Sequence, residues 1–138
     1  MTRVRGYSAI ELVIALVIAG ILAALALPYF SDREANATWF QEQVKAALRY
    51  AQRQAVANRR AVHVFLAPSE VKLCFGNPCT AANELVHHRL AAPTGVTISS
   101  TTANFSFDGL GRPSFGSTLS FTVGGKSVTV NSETGYVP

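Results

Sequence analysis

The chain has 138 residues, a hydrophobic fraction of 49%, a formal charge of +4 and two cysteines. That length allows one domain plus one appended element. It carries no nucleophile elbow, zinc motif or phosphate-binding loop, so neither an enzyme activity nor a cofactor is expected.

The first element is apolar. No charge lies between Glu11 and Asp32, a run of 20 residues. A helix of that length spans about 30 Å, the hydrocarbon thickness of a bilayer. Arg3 and Arg5 precede the run, and Asp32, Arg33 and Glu34 follow it. The positive-inside bias therefore puts the first residues in the cytoplasm and the rest of the chain across the membrane. A secretory signal fits less well, because such signals have shorter apolar cores and a small-residue cleavage site, whereas "LALPYFSD" follows here. Glu11 is the anomaly. An ionised carboxylate in hydrocarbon costs several kcal/mol unless it finds a partner, and the helix dipole returns only about 1 kcal/mol.

Residues 31–60 read as a helix of a different kind. Phe40, Val44, Leu48 and Ala51 form an apolar stripe that Ala47 and Ala55 widen. Lys45, Arg49 and Arg53 fall at i, i+4 spacing on another face, a possible basic contact surface. Residues 33–60 hold six basic side chains against Glu34 and Glu42, so the whole excess of positive charge belongs to this segment. Pro28 is the only interruption, and a proline inside a helix commonly kinks rather than ends it. One long helix from about Ser8 to Arg60 is expected, its second half needing a globular partner.

The remainder reads as β-structure. "AVHVFLA" (61–67) and "EVKLCF" (70–75) alternate around Pro68-Ser69 as a hairpin. "ELVHHRL" (84–90) is a weaker strand, and "GVTIS" (95–99) and "NFSF" (104–107) are short ones. "DGLGRPSFGS" (108–117) is a loop. In "TLSFTVGGKSVTVN" the pair Gly124-Gly125 suits a type I′ turn, setting Phe121 opposite Val128 and Leu119 opposite Val130. A last short strand is expected to take in Tyr136 and Val137.

Cys74 and Cys79 flank the turn Gly76-Asn77-Pro78 in "CFGNPC". An even count in a chain bound for an oxidising compartment favours a disulfide between them. Two thiols do not fill zinc's four positions, and His87 and His88 face opposite ways on a strand, so no metal is expected. The fold class is α+β: a long N-terminal helix, membrane-spanning then amphipathic, packed on a C-terminal antiparallel sheet or sandwich.

The start "RGYSAIEL" resembles a type IV pilin-like precursor. The resemblance implies a leader, residues 1–6, cut after Gly6 by a prepilin peptidase, and N-methylation of the new first residue, Tyr7. Tyr7 stands where the commoner motif has Phe. The new amine of Tyr7 in one subunit would pair with Glu11 of the next, which supplies the missing cation. Gly20 and Pro28 fall where such pilins loosen their helix in assembled filaments. "LRYAQRQAVANRRAVHV" is similar to the GspH/FimT branch of minor pilins and pseudopilins. "ALPYFSDR", "QVKAALRYAQ", "FSFDGLGRPS" and "ETGYV" look most like MSHA-type minor pilins.

The implied layout is leader 1–6, transmembrane and assembly helix 7–30, amphipathic helix 31–60 and β-rich domain 61–138. The implied protein is a single-pass subunit of the bacterial inner membrane, its C-terminal domain periplasmic, that later enters a pilus. Its partners would be the prepilin peptidase and other major and minor pilins, and it would help initiate or cap the filament. A pseudopilin of a type II secretion system is the alternative. DNA binding through Lys45, Arg49 and Arg53 is disfavoured, because the arginine-bearing C-terminal motif of DNA-binding relatives is missing from "GYVP".

Overall fold

The computed structural model describes the backbone of residues 8–138 and the side chains of residues 8–24, 34–85 and 89–138. Its one described helix, α1, runs Ala9–Asn58, and seven strands follow: β1 Val62–Ala67, β2 Glu70–Cys74, β3 Glu84–Ala91, β4 Ile98–Ser99, β5 Asn104–Phe107, β6 Leu119–Val123 and β7 Lys126–Val130. Two compact units divide the chain, residues 1–33 and 34–138.

In the first unit the described part of α1 is apolar on every side. Ile10, Leu12, Val13, Ile14, Leu16, Val17, Ile18, Ile21 and Leu22 are all more than half exposed. Among the described residues no helix is long and apolar enough to cross a membrane. The expected span of residues 7–30 takes in Tyr7 and the side chains of residues 25–30, which lie outside the described residues.

The second unit is built on the amphipathic part of α1. Ala37, Phe40, Val44, Ala47, Leu48, Ala51 and Ala55 are buried, at the three- and four-residue spacings that put side chains on one face of a helix. They share one core with strands of both sheets. The first sheet has the order β3-β2-β1-β5 and the second β4-β6-β7, every pairing antiparallel. Each strand of the β1–β2 hairpin turns alternate side chains inward: Val62, Val64 and Leu66 from β1, Val71 and Leu73 from β2. On the opposite face Glu70 bridges Lys72 at 2.7 Å and Arg89 at 2.8 Å. The hydrogen bonds and charges of Lys72 and Arg89 hold the Glu70 carboxyl below its ordinary value.

The β6–β7 hairpin has the register expected from its Gly-Gly turn, with Phe121 opposite Val128 and Leu119 opposite Val130. Both glycines take positive φ, 57° at Gly124 and 83° at Gly125, as a type I′ turn requires. Gly124 has a second constraint: a Cβ there would lie 2.6 Å from the Cβ of Ala37. The tip of the hairpin thus touches the helix.

Two strand expectations need correction. "GVTIS" forms only the two-residue β4, because Val96 N–H donates to the Pro93 carbonyl at 3.0 Å and Gly95 has φ 82°, which spends residues 93–96 on a turn. Tyr136 and Val137 form no strand. Asn131 Oδ1 accepts from the N–H groups of Glu133 and Thr134, and Gly135 N–H returns to the Asn131 carbonyl at 2.9 Å. This turn folds the chain end back so that Val137 is buried while Tyr136 is 64% exposed.

Two measurements test this account. Gly124→Ala should destabilise the protein by more than the roughly 1–2 kcal/mol of a left-handed alanine, and Gly125→Ala by no more than that, since nothing lies within 4 Å of a Cβ at Gly125; paired urea melts would show the ordering. A carboxylate whose pKa is depressed by folding adds stability above its unfolded pKa, and loses it as pH falls through the lower folded value. Glu70→Gln should therefore cost a fraction of a kcal/mol at neutral pH, as befits a half-buried pair still open to solvent. The gap to wild type should close in acid melts below the folded pKa.

Candidate functional site

Three groups of residues carry the expected function. The first is the start of α1. Gly6 and Tyr7 lie outside the described residues. Glu11 lies in the first helical turn, with its side chain exposed and its N–H donating to the Ser8 carbonyl at 3.0 Å. A carboxylate there faces the unpaired N–H groups and positive end of the helix dipole. Gly20 has open space on its Cβ side, and α1 is helical through both Gly20 and Pro28.

The second group is the basic side chains of the amphipathic helix. Lys45 Nζ is 3.0 Å from Glu42 Oε1. Arg49 Nε donates to the Val137 carbonyl at 3.0 Å, and Arg53 Nε makes a longer bond, 3.4 Å, to the Arg49 carbonyl. The three positions therefore differ. Arg49 clamps the chain end, Lys45 is half-buried beside an acid, and Arg53 is exposed. Among the described residues no carboxylate comes within ion-pair distance of Arg49 or Arg53. Exposed apolar side chains share the helix with them: Trp39 at 58% and Val56 at 48%.

The third group is the loop after β2. Cys74 and Cys79 form a disulfide with their Cα atoms 5.6 Å apart. Asn83 organises the remainder of the loop: its Oδ1 accepts from Thr80 N–H at 2.8 Å and its Nδ2 donates to the Pro78 carbonyl at 3.0 Å. Arg60, at the end of the helix, lies over the Phe75 ring at 4.6 Å and donates to its carbonyl at 3.3 Å. The loop is thus tied to the helix as well as to β2. The side chains of His87 and His88, weighed as metal ligands, lie outside the described residues.

Several positioning residues gave little sequence signal. Gln52 Nε2 donates to the carbonyls of Gly111, at 3.0 Å, and Thr134, at 2.7 Å, joining two distant loops to the helix. Gln41 interrupts the apolar stripe yet is buried, and its amide donates to the Ser127 carbonyl at 2.8 Å. Asp108 was the more legible. It opens "DGLGR", and its Oδ1 accepts from Leu110 and Arg112 N–H groups, as an Asp at the head of a turn does.

Known proteins share this architecture. Two crystal forms of the type IV minor pilin FimU of Pseudomonas aeruginosa superpose on the chain. One has a TM-score of 0.63 and 16% identity over 76% of this chain and 88% of FimU. The other has a TM-score of 0.60 and 17% identity over 73% and 90%. At such identities the likeness is one of fold. No curated protein matches the chain. The family model described as type II transport protein GspH matches residues 41–135, from the middle of the amphipathic helix to the turn before Tyr136. With well over half of its length in that match, the chain belongs to the GspH family.

Proposed function

We propose that this chain is a minor-pilin-like subunit of an MSHA-type type IV pilus that helps initiate or cap the filament. It is made with a leader that ends at Gly6, and a prepilin peptidase removes that leader on the cytoplasmic face of the inner membrane. The observation that carries the reading is the start of α1. Apolar side chains cover it on all sides, and one acid, Glu11, sits in its first turn. Such a surface demands an apolar surround and a cation. The bilayer supplies the surround before assembly, and neighbouring helices supply it afterwards. Cleavage after Gly6 supplies the cation as the N-methylated amine of Tyr7, which pairs with Glu11 of an adjacent subunit. Gly20 and Pro28 give the helix a place to loosen in the filament, and the disulfide-bonded β domain faces the periplasm.

A pseudopilin of a type II secretion system is the second reading, favoured by the family description. The two share the membrane segment, the peptidase and the amine pairing, and differ in the machine. The stretches "FSFDGLGRPS" and "ETGYV", with their MSHA-type likeness, favour the pilus. Binding of DNA through Lys45, Arg49 and Arg53 is the weakest reading, since Lys45 is paired and Arg49 holds the chain end.

Processing and pairing are tested separately. Gly6→Val expressed in the native host should leave full-length precursor. Intact-mass measurement that finds a mature N-terminus at Tyr7 would refute the cleavage. Glu11→Ala should leave the β domain folded and the leader removed. Loss of one partner from a buried pair costs about 3–5 kcal/mol, so surface pili should fall about tenfold or more. Counting pili by electron microscopy checks it, and a wild-type count with protein secretion unchanged would sink the pairing. A normal pilus count with lost protein secretion would transfer the same role to the secretion machine.

A further inference from the structure

The outer face of the β3-β2-β1-β5 sheet holds a feature that assembly through α1 does not use. Cross-strand pairing sets Arg89 opposite Lys72, Lys72 opposite Phe65, and Phe65 opposite Asn104. The four residues form one row across the four strands. Cross-strand partners share a face, and the inward face is taken by Val62, Val64, Leu66, Val71 and Leu73. The row therefore points away from the core. The disulfide-bonded loop contributes Pro78 and Cys79, and together with Phe65, Glu70, Lys72 and Asn104 these line a pocket of about 390 Å³. That volume falls within the roughly 300–1,000 Å³ of small-molecule sites.

The chemistry of the lining is mixed in a specific way. Phe65 and Pro78 offer apolar surface. Lys72 has donors only, Glu70 acceptors only, and Asn104 both. Glu70 is held in place by two cations, Lys72 at 2.7 Å and Arg89 at 2.8 Å. Oε2 takes both Arg89 Nε and Arg89 Nη2 at 2.8 Å, whereas Oε1, bonded to Lys72 alone, keeps a second lone pair for a ligand hydroxyl. A bare anion would gain nothing from the apolar walls and would meet the Glu70 carboxylate. An aliphatic side chain of a protein partner would leave the three polar groups unused. A sugar ring matches both halves: its polarised C–H groups pack on an aromatic ring, and its rim of hydroxyls both donates and accepts.

We propose that this pocket is a saccharide-binding site that takes a neutral hexose ring, with Phe65 as its apolar platform. Glu70, Lys72 and Asn104 hydrogen-bond the hydroxyls, and the Cys74–Cys79 loop is its wall. The site is separate from the helix surface used for assembly, so its failure would leave the proposed pilus role intact.

Saturation-transfer NMR on the full chain tests this, with the protein in dodecylphosphocholine micelles, which carry no sugar. The probes are glucose, galactose, lactose and cellobiose at millimolar concentration. At least one should receive saturation. The signal should vanish in Phe65→Ala and weaken about fivefold in Asn104→Ala, the loss of one or two hydrogen bonds. It should be unchanged in Leu110→Ser, which alters an exposed side chain on the loop after β5. Asn104 is exposed at the start of an edge strand, so Asn104→Ala carries the test should Phe65→Ala fail to fold. No transfer to any of the four sugars, or transfer that Asn104→Ala leaves at wild-type strength, would overturn the proposal.

Discussion

The burial of one stripe of α1 against two sheets is the contact on which the rest of the domain depends. Phe40, Val44 and Leu48 are fully buried, and Ala37, Ala47, Ala51 and Ala55 flank them. The two sets have different tasks. Large side chains fill the core that the helix shares with strands of both sheets, and truncating a buried Phe typically costs about 3–5 kcal/mol. Alanines let backbone approach, as at Ala37, where the tip of the β6–β7 hairpin comes so close that only a glycine fits. Neither sheet pairs with the other through a shared strand. The helix is therefore the common element of the core, and its stripe holds both sheets at once.

Polar groups on the flanks of that stripe finish the job. Gln41, Arg49 and Gln52 each donate to a main-chain carbonyl from a distant part of the chain: Ser127, Val137, and the pair Gly111 and Thr134. Such carbonyls need partners wherever packing takes them from water. The consequence reaches function. A face that reads as an open row of cations is in part an internal clamp, and the helix surface left for neighbours is smaller and more apolar, with Trp39 and Val56 prominent.

Much of this is legible in the sequence. The apolar stripe follows from helical period, since Phe40, Val44, Leu48 and Ala51 can share a face in no other regular structure. The β6–β7 register follows from Gly124-Gly125, because two adjacent positive φ angles select a two-residue turn and the turn sets the pairing. The disulfide follows from two cysteines across a short turn. What was not legible depends on residues far apart in the chain. Tyr136 and Val137 look like a strand, yet the Asn131 turn and the Arg49 clamp decide their path. "GVTIS" alternates well enough, but Gly95 is spent in a turn. Nothing local marks Gln52 as a bridge.

By itself, then, the sequence determined the long helix and its change of character, the hairpins and the disulfide. It also determined the likeness of its first residues to a processed pilin, for these are matters of local period, turn chemistry and adjacent motif. The tertiary structure alone decided how the chain end is anchored. It also decided that Phe65, Lys72, Glu70 and Asn104 gather beneath the disulfide loop. Those outcomes arise from pairings between residues tens of positions apart. Only the packed core brings such partners within hydrogen-bonding distance.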